Sequence, residues 1–139
     1  MNYTRIILAA LSATVVYFVM GGVLFALSPM ANEFLKYPAV YRTSENMRSV
    51  MPIGMLGMLL SMFVLAVMYG LLYRGGSGVV EGARFGVLVG AFAVGSFVLH
   101  NYVNLNVGLK LTIEQAVAYL LQWTIVGIVL GLIYRPAVH

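Results

Sequence analysis

Four apolar runs, each long enough to cross a lipid bilayer, leave this chain few ways to fold. They cover approximately residues 5–27, 50–73, 79–103 and 113–134. A hydrocarbon core about 30 Å thick takes roughly 20 residues of helix. Backbone polar groups find no water there, so only helices and closed barrels cross it. The runs are too long for barrel strands, and they do not alternate between apolar and polar residues. We therefore expect an all-α fold, a transmembrane four-helix bundle, with residues 1–139 forming a single transmembrane domain. Composition agrees. Hydrophobic residues make up 62% of the chain and charged residues 9%, against roughly a quarter charged in soluble domains.

The first run also has the look of a signal peptide, with Arg5 before it and Ala26-Leu27-Ser28 as a small-residue cleavage site. It is longer than the roughly 7–15 apolar residues of a signal core, and Pro29 would follow the cut directly. We expect it to be retained as a span. Pro52 suits the first turn of the second span, with Ser49 as its N-cap. Ser77 is available to cap the third, and Thr112-Ile113-Glu114-Gln115 reads as a capping box opening the fourth. The connection from Ser28 to Ser49 is the only sizeable one. It sets Phe34, Tyr37 and Tyr41 among Glu33, Lys36, Arg42, Glu45 and Arg48, a mixture suited to the membrane interface.

Orientation rests on small differences. Arg5, Arg74, Arg84 and Arg135 lie on one side, and Lys36, Arg42, Arg48 and Lys110 on the other. The second side also holds Glu33, Glu45 and Glu114. The second and fourth spans end alike, in Gly70-Leu71-Leu72-Tyr73-Arg74 and Gly131-Leu132-Ile133-Tyr134-Arg135, placing a Tyr-Arg anchor on the first side. We expect a multi-pass protein of the bacterial inner (cytoplasmic) membrane with both termini cytoplasmic. The chain contains no basic run for phosphates to track, so nucleic acid is not an expected partner. The lipid bilayer is, together with other membrane protein subunits or further copies of the chain itself.

Lipid provides no hydrophobic drive for helices to associate, so small residues mark close contacts. Gly82, Gly86 and Gly90 recur every four residues in the third span, followed by Ala93, and Gly127 and Gly131 do so in the fourth. Gly54, Gly57 and Ser61 line one side of the second span. Met51, Met55, Met58, Met62, Leu65 and Tyr69 form a heptad seam there.

Polar residues inside spans are costly and often functional. On an uninterrupted helix His100 and Asn104 continue the glycine face of the third span into the bundle, with Asn101 beside them. Gln115, Tyr119 and Gln122 share a face of the fourth span. Arg84 stands one turn after Glu81 and can pair with it. These make His100, Asn101, Asn104, Gln115 and Gln122 the candidate ligand or polar-core residues. Imidazole is a ligand for haem iron or chlorophyll magnesium. The position of His100 near a helix end instead favours hydrogen bonding, and the sequence requires no cofactor. His139, at the C-terminus, is the other histidine. There is no Cys and no Asp, no Glu lies centrally in a span, and GxSxG, HExxH and P-loop motifs are missing. No metal site and no catalytic residue are expected.

In Lys36-Tyr37-Pro38-Ala39-Val40-Tyr41-Arg42, Glu81-Gly82-Ala83-Arg84-Phe85-Gly86 and His100-Asn101-Tyr102-Val103-Asn104-Leu105-Asn106, the chain resembles a group of uncharacterised small bacterial four-span membrane proteins. The resemblance implies the architecture and a bacterial inner-membrane setting, and no activity. On the sequence the favoured role is an accessory, non-catalytic subunit of a larger bacterial membrane complex, such as a respiratory or photosynthetic one. The alternatives are a small oligomeric transporter or channel, and a binding protein or enzyme for a lipophilic ligand.

Overall fold

The computed structural model describes residues 2–134. Arg135 and His139 lie outside the described residues. The chain forms α1 (Tyr3–Leu27), a short α2 (Met30–Phe34), α3 (Ser44–Leu72), α4 (Gly78–Asn104) and α5 (Leu109–Ile133). Helices α1, α3, α4 and α5 are long and apolar enough to cross a membrane. The fold is an all-α four-helix bundle, with no strand among the described residues.

Two helix starts differ from expectation. Helix α3 begins at Ser44, where the Thr43 hydroxyl accepts from the Asn46 N–H at 3.3 Å. Ser49 is therefore inside the helix and its hydroxyl donates to the Asn46 carbonyl. Pro52 is not in the first turn but in the third, where it leaves the Arg48 carbonyl without its usual helical donor. Helix α5 begins at Leu109. The Thr112 hydroxyl donates back to the Gly108 carbonyl at 3.1 Å, and no capping box forms. In both places polar residues extend the helix beyond its apolar run, so the end of the apolar run does not mark the end of the helix.

The helices pack in the order α4, α5, α1, α3. The α4–α5 contact is the closest, because it is made by backbone. A Cβ on Gly82 would collide with the Gly127 carbonyl. One on Gly86 would lie 2.8 Å from the Thr124 Cα, and one on Gly127 would lie 2.6 Å from the Gly86 Cα. Gly131 sits against the Gly78 carbonyl, and Gly90 is looser, with 3.3 Å to the Leu120 Cα. Helix α1 brings Ala9, Ala10 and Ala13 into the same core as Met62, Ala66, Val126 and Leu130. These alanines let α1 approach its neighbours closely, as glycines do for α4.

At one end of the bundle the two similar span endings meet. The rings of Tyr73 and Tyr134 lie edge to face at 5.8 Å, and Tyr69 packs on both Tyr134 and Phe85. At the other end the long connection folds into a cap. Met30, Val107 and Leu111 form a small core there with Phe34, Tyr37 and Tyr41 packed on it, and the Gly108 N–H donates to the Tyr37 hydroxyl at 2.9 Å. Glu33, which is buried, accepts from Lys36 at 2.7 Å and from Lys110 at the start of α5. Those two ammonium groups, Lys110 first, hold the Glu33 carboxyl below its ordinary value of 4.5. A depressed carboxyl contributes stability that is present above its unfolded value and lost as pH falls through its folded one. The cap should therefore hold at neutral pH and loosen only below about 4.5. Glu33→Gln should speed amide hydrogen exchange of residues 36–41 at pH 7 while sparing α5. Unchanged exchange there would mean that the apolar contacts alone hold the cap.

Candidate functional site

Helix α4 is not α-helical throughout. From Val94 to Leu99 it is a π-helix. Such a segment adds about one residue to a turn and so advances everything after it by roughly 100°. Before the segment, Gly78, Gly82, Gly86 and Gly90 are buried; within it the buried position is Val98, and from His100 to Asn104 none is. His100 and Asn104, which continue the glycine face on an uninterrupted helix, are rotated out of the bundle and exposed. Asn104 donates its amide to the His100 carbonyl at 3.0 Å, and Asn101 is half-buried. The inward placement expected for His100 and Asn104 is thus corrected by an insertion in helical phase.

The two glutamines remain inside. Gln115 and Gln122 are buried, and the Gln122 amide donates to the Tyr17 carbonyl on α1 at 2.7 Å. Gly21 makes the room: a Cβ there would stand 2.9 Å from the Gln122 Nε2. Gln122 therefore serves as an interhelical link, an interaction of about 1 kcal/mol in membranes. The expected Glu81–Arg84 pair is not formed. Glu81 instead accepts from the Gly76 N–H at 2.9 Å and from the Arg74 N–H at 3.4 Å, tying down the α3–α4 turn.

The methionine seam divides. Met62 and Tyr69 are buried, whereas Met51 and Met55 are 48% and 49% exposed. From Ser44 to Gly57 every residue except the half-buried Val50 is exposed, and no atom stands within 4 Å of a Cβ built on Gly54 or Gly57. The first half of α3 therefore runs free of the bundle.

Where α3 separates from α4, a cleft of about 630 Å³ opens. Its walls come from Met58, Ser61 and Leu65 on α3 and from Val89, Ala93 and Phe97 on α4. Tyr17, Tyr119 and Trp123, from α1 and α5, also line it. They are joined by ring contacts: Tyr17 to Trp123 at 5.2 Å and Phe97 stacked on Tyr119 at 5.7 Å. The π segment carries Ser96 and Phe97 into this cleft. Rim residues Leu60, Val64 and Phe92 are exposed, so the opening faces the surface that lipid covers.

The polar groups of the cleft belong to Trp, Tyr and Ser side chains. Trp123 is 8% exposed, and its Nε1–H is buried without a hydrogen-bond partner among the described residues. A buried donor left unpaired costs about 1–3 kcal/mol. The phenol groups of Tyr17 and Tyr119 are close by on the same wall. Ser61 and Ser96 have already spent their protons on the carbonyls of Gly57 and Phe92. No charged side chain lines the cleft. Such a site suits a mostly apolar body with a single uncharged polar group, for which the phenols can donate or accept and the serine oxygens can accept.

None of His100, Asn101, Asn104, Gln115 and Gln122 lines this cleft. Trp123 was open to detection in the sequence, as the chain's one tryptophan and one placed well inside a span instead of at its interfacial end. Tyr17 was not, because nothing in α1 shows that it meets α5. No family model, no curated protein and no solved structure matches the chain, so what the cleft does has to be read from its own residues.

Proposed function

We propose that this chain is a membrane-embedded binding protein for a lipophilic molecule bearing a hydrogen-bond acceptor, which enters the α3–α4 cleft sideways from the bilayer. One observation carries the proposal: a cleft of about 630 Å³ lined by Trp123, whose indole N–H is buried without an acceptor among the described residues. The volume lies within the roughly 300–1,000 Å³ of small-molecule sites. Because Trp123 is the sole tryptophan, its emission reports occupancy directly. Titrating the detergent-solubilised protein with monooleoylglycerol, which offers an ester carbonyl, should give a saturable emission change. A non-saturating drift like that of a free tryptophan ester in the same micelles would sink the proposal.

The setting we propose is the bacterial inner membrane with both termini cytoplasmic. The chain lacks cysteine, so single cysteines at 37 and 76 are clean reporters. On intact cells an impermeant thiol reagent should label position 37 and not position 76. The reverse pattern inverts the orientation, and labelling of both refutes the four-span topology.

A second reading, that of an accessory subunit, is supported by the free half of α3. A helix segment that is exposed at nearly every position among the described residues, yet carries Gly54 and Gly57, is built for close approach by another helix. Crosslinking from a photoreactive group at position 54 should then capture a specific protein neighbour in the membrane. Capture of lipid alone counts against it.

A further inference from the structure

Above the cleft, on the same α3–α4 seam, lies a second hollow of about 390 Å³. The two follow one another turn by turn. On α3 the deep cleft ends at Leu65 and the upper hollow begins at Tyr69; on α4 the change comes between Val89 and Leu88. The upper hollow differs from the lower in charge, since Arg74 and Arg84 both line it. Both arginines are exposed, and neither lies within 4.0 Å of a carboxylate among the described residues. The one acid in the hollow, Glu81, is turned onto the backbone N–H groups of Gly76 and Arg74. Its remaining lining includes Leu72, Phe85 and Leu88, which continue the apolar wall downwards.

We infer that the seam holds an anionic amphiphile, with its phosphate or carboxylate headgroup on Arg74 and Arg84 and its chain in the deep cleft. This inference rests on the cleft being a ligand site. Guanidinium groups bind phosphate and carboxylate through paired, charge-assisted hydrogen bonds. Both stand at the end of the bundle where α3 finishes and α4 starts, the level at which a lipid headgroup sits. From Arg84 to Ser96 the helix rises roughly 18 Å at about 1.5 Å per residue, more than half of a hydrocarbon core about 30 Å thick. Trp123 lies between these levels, since its carbonyl and Cβ face Gly86 and Gly90. An ester carbonyl placed just below a headgroup reaches that depth.

The test compares oleoyl lysophosphatidic acid, monooleoylglycerol and inorganic phosphate on the full chain in a neutral maltoside detergent, read by Trp123 emission. The anionic lipid should bind at least about tenfold more tightly than its neutral counterpart, the fold-change of one good charge-assisted contact. Arg74→Gln with Arg84→Gln should bring the two within about threefold of each other, and raised salt should act in the same direction. Equal affinities for the two lipids on the native protein would overturn the headgroup assignment while leaving the cleft as a neutral-ligand site. Competition by inorganic phosphate at the same concentration as the lipid would overturn the amphiphile in favour of a free-anion site. Saturable binding of neither lipid would overturn both this inference and the cleft itself.

Discussion

Gly86→Ala, like Gly127→Ala across the same contact, should cost this protein several times the stability that Gly90→Ala costs, while Gly95→Ala should cost nothing. The added Cβ at 86 has no vacant volume. It meets the Trp123 carbonyl and stands 2.8 Å from the Thr124 Cα, and both are backbone atoms that cannot rotate away. Overpacking of this kind costs about 1–3 kcal/mol, and more where nothing can relax. The helix propensity gained on replacing glycine, about 1 kcal/mol, does not offset it. At Gly95 no atom lies within 4 Å of the new carbon, so only the propensity remains. Gly90, at 3.3 Å from the Leu120 Cα, should fall between them. Gly127→Ala meets Gly86 from the other side, so its cost and that of Gly86→Ala should not add. Thermal unfolding in detergent measures all four. Equal midpoints for the variants at 86 and 95 would show that α4 and α5 do not depend on this contact.

The glycine series also marks what the sequence can and cannot disclose. The four spans are legible because apolar length is a property of each segment alone, and bilayer thickness sets the scale. The α4–α5 contact is legible for a related reason, since residues at four-residue spacing share a face wherever a helix stays regular. That regularity fails at Val94–Leu99, where the Gly95-Ser96 pair is a local sign of irregularity but does not say that the helix goes on with its phase shifted. His100 and Asn104 consequently point away from the bundle. Helix starts at Ser44 and Leu109 were hidden because the polar residues that open them do not look like part of a span. Ala9, Ala10 and Ala13 are buried, as the glycines are, yet alanine is common enough in membrane helices to attract no notice. The cleft is the least legible feature. Its walls come from α3 and α4, adjacent in sequence, but its floor comes from α1 and α5. Only the tertiary arrangement puts Tyr17 beside Trp123.

Filling that cleft should abolish binding without unfolding the bundle. Ala93 lines it from α4 and Ser61 from α3; Ser61 takes no part in the α4–α5 contact, and Ala93 lies beyond its tightest positions, Gly82 and Gly86. Ala93→Phe and Ser61→Phe each place a ring in space that the ligand would occupy, and neither adds a tryptophan to confuse the Trp123 signal. Both rings are apolar and the cleft opens towards lipid, so the bundle has no reason to expel them. Each variant should weaken monooleoylglycerol binding by at least about tenfold, or roughly 1.4 kcal/mol, with a thermal midpoint close to that of the native protein. His100→Gln provides the contrast. The imidazole stands outside the bundle, on the far side of the phase shift from the glycine face, so this variant should bind and melt like the native chain. Native affinity in Ala93→Phe and Ser61→Phe together would remove the α3–α4 cleft from consideration. Loss of binding in folded His100→Gln would move the site to the other side of α4, where the π-helical segment has turned that side chain.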